Sequence, residues 1–579
     1  MTLAQTNEKA LLQKISELES ELKKVKKTNK YGLAWEDKPE QIVDDCKRHV
    51  PILRLKEKKK GINPIISNDE SRDDNVLIEG DNYHALSVLN YTHKGKVDVI
   101  YIDPPYNTGN NDFKYNDCYV DKEDAYRHSK WLSFMYVRVS LAKELLKNTG
   151  VIFVSIDNNE LAQLKLLLDK VFGIQNFIAN VTVVNNLKGR SDDKYIATAH
   201  ENLLIYKKSD FETLGVKVPD EYIKEYKLRD TNGLYRLQGL RKRGDGSLRE
   251  DRPNLYYPIY FEKETGTLSL NKKDLKDAIE ILPRLANGLD GRWRWGKDTF
   301  RERVSELSVT FIKKRNEYDV VQKDYLHSGE ESLKRIKAKS FWFGSEFSSD
   351  AGTKALKEII PDTDFNNPKS VALIEYCLEQ SAKKDAVILD FFAGSGTTAQ
   401  AVLKMNKQDD GNRRFILCTN NENNICEDVT YERTKRLIEG YKNQKGEKIE
   451  GYQVNLRYYK TDLVDIEKLY RTPDHAKVKL TYQTGEMIGL RENTLNEIEK
   501  NDWWQIFEGK GKTTAIYFKE DKERLQDLVD LLEKKKQPAA LYIFSWGKNE
   551  YKSEYSSTNI RIEDIPEPIL EVYKEINRL

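Results

Sequence analysis

The sequence predicts a multidomain α/β protein built on a parallel sheet. Short apolar runs alternate with helical spacings over residues 76–208 and again over 346–444, and a turn-forming loop closes two of those runs. At roughly 150 residues per domain, 579 residues amount to about four units.

Composition narrows the class further. Lys+Arg 96 nearly cancel Asp+Glu 94, so any basic surface is local. No run approaches ~20 apolar residues, and the first ten residues are polar, which predicts a cytoplasmic chain without a membrane span or signal peptide. The five cysteines (Cys46, Cys118, Cys377, Cys418 and Cys426) are odd in number and scattered, so neither a disulfide framework nor a metal site is expected.

Taken in order, Leu11, Ile15, Leu18, Leu22 and Val25 predict an amphipathic helix within 1–30. It would pack on its own domain, self-associate or meet a partner subunit, or stay a free tail. Residues 31–75 read as an irregular linker packing on the core, interrupted by Pro39, Pro51 and Pro64. In 76–208, strands are expected at 76–79, 97–102, 151–156 and 203–206, and helices at 83–90, 131–147 and 160–172. Over 209–345 the alternation fades and basic residues interleave with aromatics, which predicts an inserted domain. Strands return at 386–391 and 414–418 within 346–444. Residues 445–579 read as a mixed α+β C-terminal domain with strands at 453–459, 515–518 and 540–544.

Two loops carry chemistry. Asp103-Pro104-Pro105-Tyr106-Asn107-Thr108-Gly109 follows the strand at 97–102, at the carboxyl edge where open α/β sheets bind ligands. The prolines remove two donors and fix the chain, so Asp103 and a backbone carbonyl can accept from an exocyclic amine while Tyr106 stacks on a base. The second loop, Asp390-Phe391-Phe392-Ala393-Gly394-Ser395-Gly396-Thr397-Thr398, joins a strand to a helix. It lacks both the lysine of a phosphate-binding loop and the third glycine of a dinucleotide fingerprint.

A D-P-P-Y loop followed much later by F-x-G-x-G-T-T resembles the S-adenosylmethionine-dependent amino-methyltransferases of DNA. With the catalytic loop upstream and an insertion between the loops, the order is similar to their β subgroup. Leu77 to Asn82, Gly150 to Asp157 and His200 to Tyr206 match further family segments. The long C-terminal extension, the segment 252–258 and Arg292-Trp293-Arg294-Trp295 look like the modification (Mod) subunit of type III restriction-modification systems.

The resemblance implies a Rossmann-like methyltransferase core with an inserted target-recognition domain. It implies that Asp103, Pro104, Pro105 and Tyr106 are catalytic, Asp at the first position favouring adenine N6 over cytosine N4. Phe392, Ala393, Gly394, Gly396, Thr397, Asp390 and Asn107 would bind S-adenosylmethionine. Lys369 would lie near its methionine carboxylate, or be a solvated lysine before a helix, and Asp81 would meet its adenine end or simply cap a helix. The usual ribose-binding acid is missing after 414–418, so either Asn420 or Glu422 takes that part.

DNA contacts are expected in the insertion. Between Arg236 and Arg252 six Lys/Arg face three acids, with Tyr256 following; Arg241, Lys242, Arg243, Arg249, Arg252 and Tyr256 are the candidate contacts. Trp293 and Trp295 read as core. The function implied is methylation of adenine N6, flipped from duplex DNA, by a homodimer that can serve a restriction helicase-nuclease partner. The alternatives are a recognition subunit whose main output is to direct that nuclease, or an amine methyltransferase of RNA or protein.

Overall fold

Strands buried on both faces carry apolar centres, as Asp74–Glu79, Val97–Ile102 and Arg414–Thr419 do at residues 76–78, 99–102 and 415–418. The structure is a computed structural model. It describes residues 35–579 except 39, 70, 111, 190–192, 329–331, 547–550, 552–554, 556–558 and 579. The helix expected within 1–30 lies outside the described residues.

One large sheet organises the unit formed by the residues up to Leu214 and from Lys339 onward. Its strand order is His49–Leu55, Asn455–Asp465, Asp74–Glu79, Arg414–Thr419, Val387–Asp390, Val97–Ile102, Leu146–Ile156, Glu201–Lys207, Phe177–Val183 and Phe341–Trp342. Six neighbours, from Asn455–Asp465 to Leu146–Ile156, run parallel, and Glu201–Lys207 is antiparallel to both of its neighbours. Alternate residues serve opposite faces. Ile100, Ile102 and Val154 join helices Asn82–Thr92, Arg127–Leu145 and Leu161–Phe172, while Val99, Tyr101 and Phe153 join Val371–Glu379, Thr397–Asp409 and Glu432–Glu439. Burial of each such large apolar side chain contributes about 1.5–3 kcal/mol.

Two sequence expectations are corrected here. Residues 31–75 are not only linker: His49–Leu55 is the edge strand of the sheet, and Pro51 is tolerated because an edge strand does not need every N–H. Nor does 445–579 form a separate domain throughout. Asn455–Asp465 lies between the strands His49–Leu55 and Asp74–Glu79. The remaining C-terminal strands form a five-stranded sheet ordered Asn496–Lys500, Trp504–Gly509, Lys512–Tyr517, Ala539–Phe544 and Ile560–Ile565. One face packs under Lys522–Lys534. The other, with Phe507, Ile516 and Tyr542, continues the core of the large sheet.

The second unit spans Gly215–Ala338, narrower than 209–345 because Phe341–Trp342 pairs with Phe177–Val183 in the large sheet. It holds a four-stranded antiparallel sheet, Leu228–Asp230, Gly233–Gly239, Glu317–Tyr325 and Leu307–Ile312, and a three-stranded one. Its core contains Trp293 and Trp295, with Leu240, Tyr257, Ile259 and Phe300. No helix among the described residues is long and apolar enough to cross a membrane.

Candidate active site

Strands Val97–Ile102 and Val387–Asp390 are parallel neighbours with Leu389 beside Ile100, so the loops that follow them emerge side by side. From these two strands the chain crosses in opposite directions, one to Leu146–Ile156 and the other to Arg414–Thr419. Such a reversal opens a crevice at the carboxyl edge of a parallel sheet. A cavity of about 720 Å³ lies there, lined by Asp81, Asp103, Pro105, Phe134, Phe365, Phe392, Gly394, Asn420 and Glu422 among others. Its lining includes seven carboxylates and one lysine, Lys114, which pairs with Glu422.

That lining suits a cation with an apolar ring better than a phosphate, because carboxylates favour positive charge and the phenylalanines offer flat apolar faces. The volume is that of a cofactor pocket. Gly80 forms part of the wall at φ +149°, and a Cβ there would fall 1.9 Å from Thr461 Oγ1, so only glycine fits.

Asp103 is the first residue of the loop that follows Val97–Ile102. Its Oδ1 is buried without an aligned hydrogen bond among the described residues, although Lys369 Nζ stands 3.3 Å away. Burial raises its pKa, against the pull of Lys369. The Trp131 indole donates to the Pro105 carbonyl at 2.8 Å, and no hydrogen bond to the Pro104 carbonyl is found among the described residues. Pro104 is therefore the proline whose carbonyl can serve a substrate. The Tyr106 hydroxyl donates to Glu201 at 3.0 Å.

The structure separates the residues expected at the cofactor. Asp81, Phe392, Gly394 and Asn420 line the cavity, and so does Glu422. Asp81 also caps helix Asn82–Thr92, accepting from the Tyr83 N–H at 2.7 Å, so its capping reading holds.

Six other expected cofactor contacts do not line the cavity. Asn107, at φ 56°, is fully buried and donates to Glu160 and to the Arg127 carbonyl, which braces the loop from beneath. Lys369 turns to Asp103 and Glu201, whose two charges outcompete solvent for a mostly buried ammonium. Asp390 accepts from Thr398 and from the Phe392 N–H, and burial raises its pKa to about 7. Ala393 is buried in the helix-covered core. Gly396 backs onto Thr430, and the Thr397 hydroxyl accepts from buried Arg433.

Arg138 escaped the sequence reading. It is fully buried, stacks 3.7 Å over the Phe134 ring, and donates to both oxygens of Glu40 at 2.6 and 2.9 Å and to Asp81 at 3.2 Å. It also donates to Asn82, whose amide reaches the Phe391 carbonyl at 3.1 Å, so one guanidinium ties the wall of the cavity to the second loop. The available signal was an arginine inside the buried stripe Trp131, Met135, Val139 and Ala142. Glu201 was also missed. It opens the strand Glu201–Lys207, which runs antiparallel to Leu146–Ile156, starts where that strand ends and so reaches the same edge.

In the Gly215–Ala338 unit the expected DNA contacts differ from one another. Arg241 pairs with Asp319 at 3.2 Å and Arg249 with Asp290 at 3.1 Å, where the Tyr256 hydroxyl also donates. Arg243 and Arg252 are exposed, and Lys242 is half-buried.

Two loops meeting over an acidic, aromatic crevice, one of them headed by Asp-Pro-Pro-Tyr, define an S-adenosylmethionine-dependent methyltransferase of amines. The pattern of the N6/N4-type DNA methylase family matches residues 97–432, more than half of the chain, and this chain belongs to that family. It is a methyltransferase, and S-adenosylmethionine is its cofactor. Over 365 residues it is 40% identical to the type II methyltransferase M.KpnI of Klebsiella pneumoniae, covering 62% of this chain and 83% of that one. It is 36% identical over 376 residues to the type III EcoPI Mod subunit of Escherichia phage P1, covering 60% and 58% respectively. The chain thus spans just over half the length of that Mod subunit. The structure of the cytosine-N4-specific PvuII DNA methyltransferase aligns at 11% identity and a TM-score of 0.29, covering 63% of this chain and 93% of that one.

Proposed function

We propose that this chain methylates N6 of adenine, flipped out of duplex DNA at a specific sequence. The observation that carries this is Asp103 on the wall of the cofactor cavity, its Oδ1 buried without an aligned partner, followed in the chain by Pro104, whose carbonyl has no hydrogen bond among the described residues. Two acceptors side by side suit an exocyclic amine that keeps two hydrogens to donate. Bound S-adenosylmethionine supplies a methyl group on a sulfonium. Asp103 and Pro104 orient the amine lone pair toward that methyl and oppose the positive charge that grows on nitrogen, while Tyr106 offers its ring to the base.

Residues 209–345 are proposed to read the duplex, Arg243 and Arg252 being exposed donors there. A homodimer is proposed as the working form. The relatives include a type II methyltransferase and a type III Mod subunit, and service as the recognition subunit of a restriction partner remains part of this proposal.

The test is methyl transfer from labelled S-adenosylmethionine to unmethylated duplex DNA, followed by digestion to nucleosides. Label in N6-methyldeoxyadenosine is expected. Label in cytosine overturns the target base, and label only in RNA or protein overturns the polymer.

A further inference from the structure

Lys369, Glu201 and Tyr106 form a closed cluster behind Asp103. Lys369 Nζ lies 2.6 Å from Glu201 Oε2, 3.3 Å from Asp103 Oδ1 and 4.9 Å from the centre of the Tyr106 ring, and it donates to the Tyr106 hydroxyl. The Lys369 and Glu201 side chains are only 16% and 5% exposed. Glu201 accepts in addition from the Tyr106 hydroxyl and from the Asn185 amide at 3.1 Å. Around Asp103, the charged or titratable groups on adjoining elements are Tyr101 on its own strand, Glu201, Lys369, Tyr106 and, from the second loop, Asp390.

Two carboxylates and one ammonium leave the cluster with a single net negative charge. Without the ammonium, two buried carboxylates this close would share a proton. A protonated Asp103 could no longer accept a hydrogen bond from an amine through that oxygen.

We infer that Lys369 and Glu201 are positioning residues for methyl transfer: Lys369 keeps Asp103 ionised in the closed site, and Glu201 holds Lys369 so that it does not neutralise Asp103 completely. This rests on the reading of Asp103 as the acceptor for the target amine. In the reaction the N–C bond forms as the C–S bond breaks, the C–S electron pair stays on sulfur as a neutral thioether, the positive charge passes to nitrogen, and nitrogen then releases a proton to solvent. The single negative charge of the cluster opposes the nitrogen charge at its maximum.

The experiment is the pH profile of single-turnover methyl transfer to DNA, with total transferred label counted whichever base receives it. Lys369→Met is expected to lower the rate about 10²-fold and to move the acid limb up by about one pH unit or more. Adding Glu201→Gln to Lys369→Met is expected to restore about tenfold, because it removes the like charge that forces Asp103 to take a proton. Glu201→Gln alone is expected to move the acid limb down. Thermal melting controls for folding, and Lys369→Arg is expected to retain more activity than Lys369→Met.

Unmoved acid limbs, or no recovery in the double variant, overturn the inference. Weaker S-adenosylmethionine binding by Lys369→Met at an unchanged rate overturns it in favour of a direct cofactor contact. Failure of the unaltered protein to label DNA at all would instead sink the proposed function.

Discussion

In the sheet-bearing unit Arg138 and Arg433 are fully buried, and their guanidinium groups bond to the walls of the cavity and the glycine loop. In the Gly215–Ala338 unit, Arg241 and Arg249 stand in a dense basic run, yet each meets an aspartate of its own unit. The isolated arginines organise a site, while part of the conspicuous cluster is spent on internal pairing. Local cation density therefore says less than what each cation faces after folding. Burial alone lowers the pKa of Arg433 to about 9, since it has serine, threonine and glutamine partners but no carboxylate among its hydrogen bonds.

The largest effect is expected at the loop headed by Asp103. Asp103→Ala is expected to lower single-turnover methyl transfer at least about 10³-fold while duplex affinity stays near its starting value. Retained transfer would remove the loop from the chemistry. Next in size is Arg138→Met, which leaves Glu40 and Asp81 without their buried counter-charge. A loss of about 3–5 kcal/mol in denaturant unfolding is expected, with weaker cofactor binding. Phe392→Ala should raise the S-adenosylmethionine Kd about tenfold in calorimetry, since an aromatic wall of the cavity is lost.

Asp390 provides a pH test. Its folded pKa, about 7, lies above the ordinary 3.8, so the folded state holds its proton where the unfolded state has lost it. Its contribution to stability is full below 3.8 and is lost as pH rises toward 7. Asp390→Asn is expected to flatten the melting temperature across that window, and an unchanged slope would assign the pH dependence elsewhere. The smallest effect is expected in the other unit. Arg243→Ala should weaken duplex binding a few-fold and reduce the salt slope by about one, whereas Arg241→Ala should act mainly on folding because Arg241 already holds Asp319. Equal effects of the two on salt dependence would place Arg241, like Arg243, on the duplex.

Much of the core is legible in the sequence. The strands near 97, 151, 203 and 414 stand where their apolar runs predict, because a strand covered by helices on both sides has no polar face to obscure it. The position of the Asp103 loop at the carboxyl edge of the sheet was legible because the strand and the motif are contiguous in the chain. The edge strand His49–Leu55 was not, since a proline and charged neighbours conceal a strand that needs only one partner. The partners of Lys369 were not legible for a related reason: its lysine identity shows a charge, but not which carboxylates, Asp103 and Glu201, converge on it.

The sequence by itself determined the α/β class, the two motif loops, the methyltransferase resemblance and the core placement of Trp293 and Trp295. Those features are local, written within a few residues of one another or in the period of apolar side chains. Only the tertiary structure decided that Asn455–Asp465 completes the sheet, that Arg138 ties Glu40, Asp81 and Asn82 together, and that Glu201 and Lys369 stand behind Asp103. These contacts join residues from distant parts of the chain. Their energies depend on burial and on the distance between charges, neither of which is defined until the chain has folded.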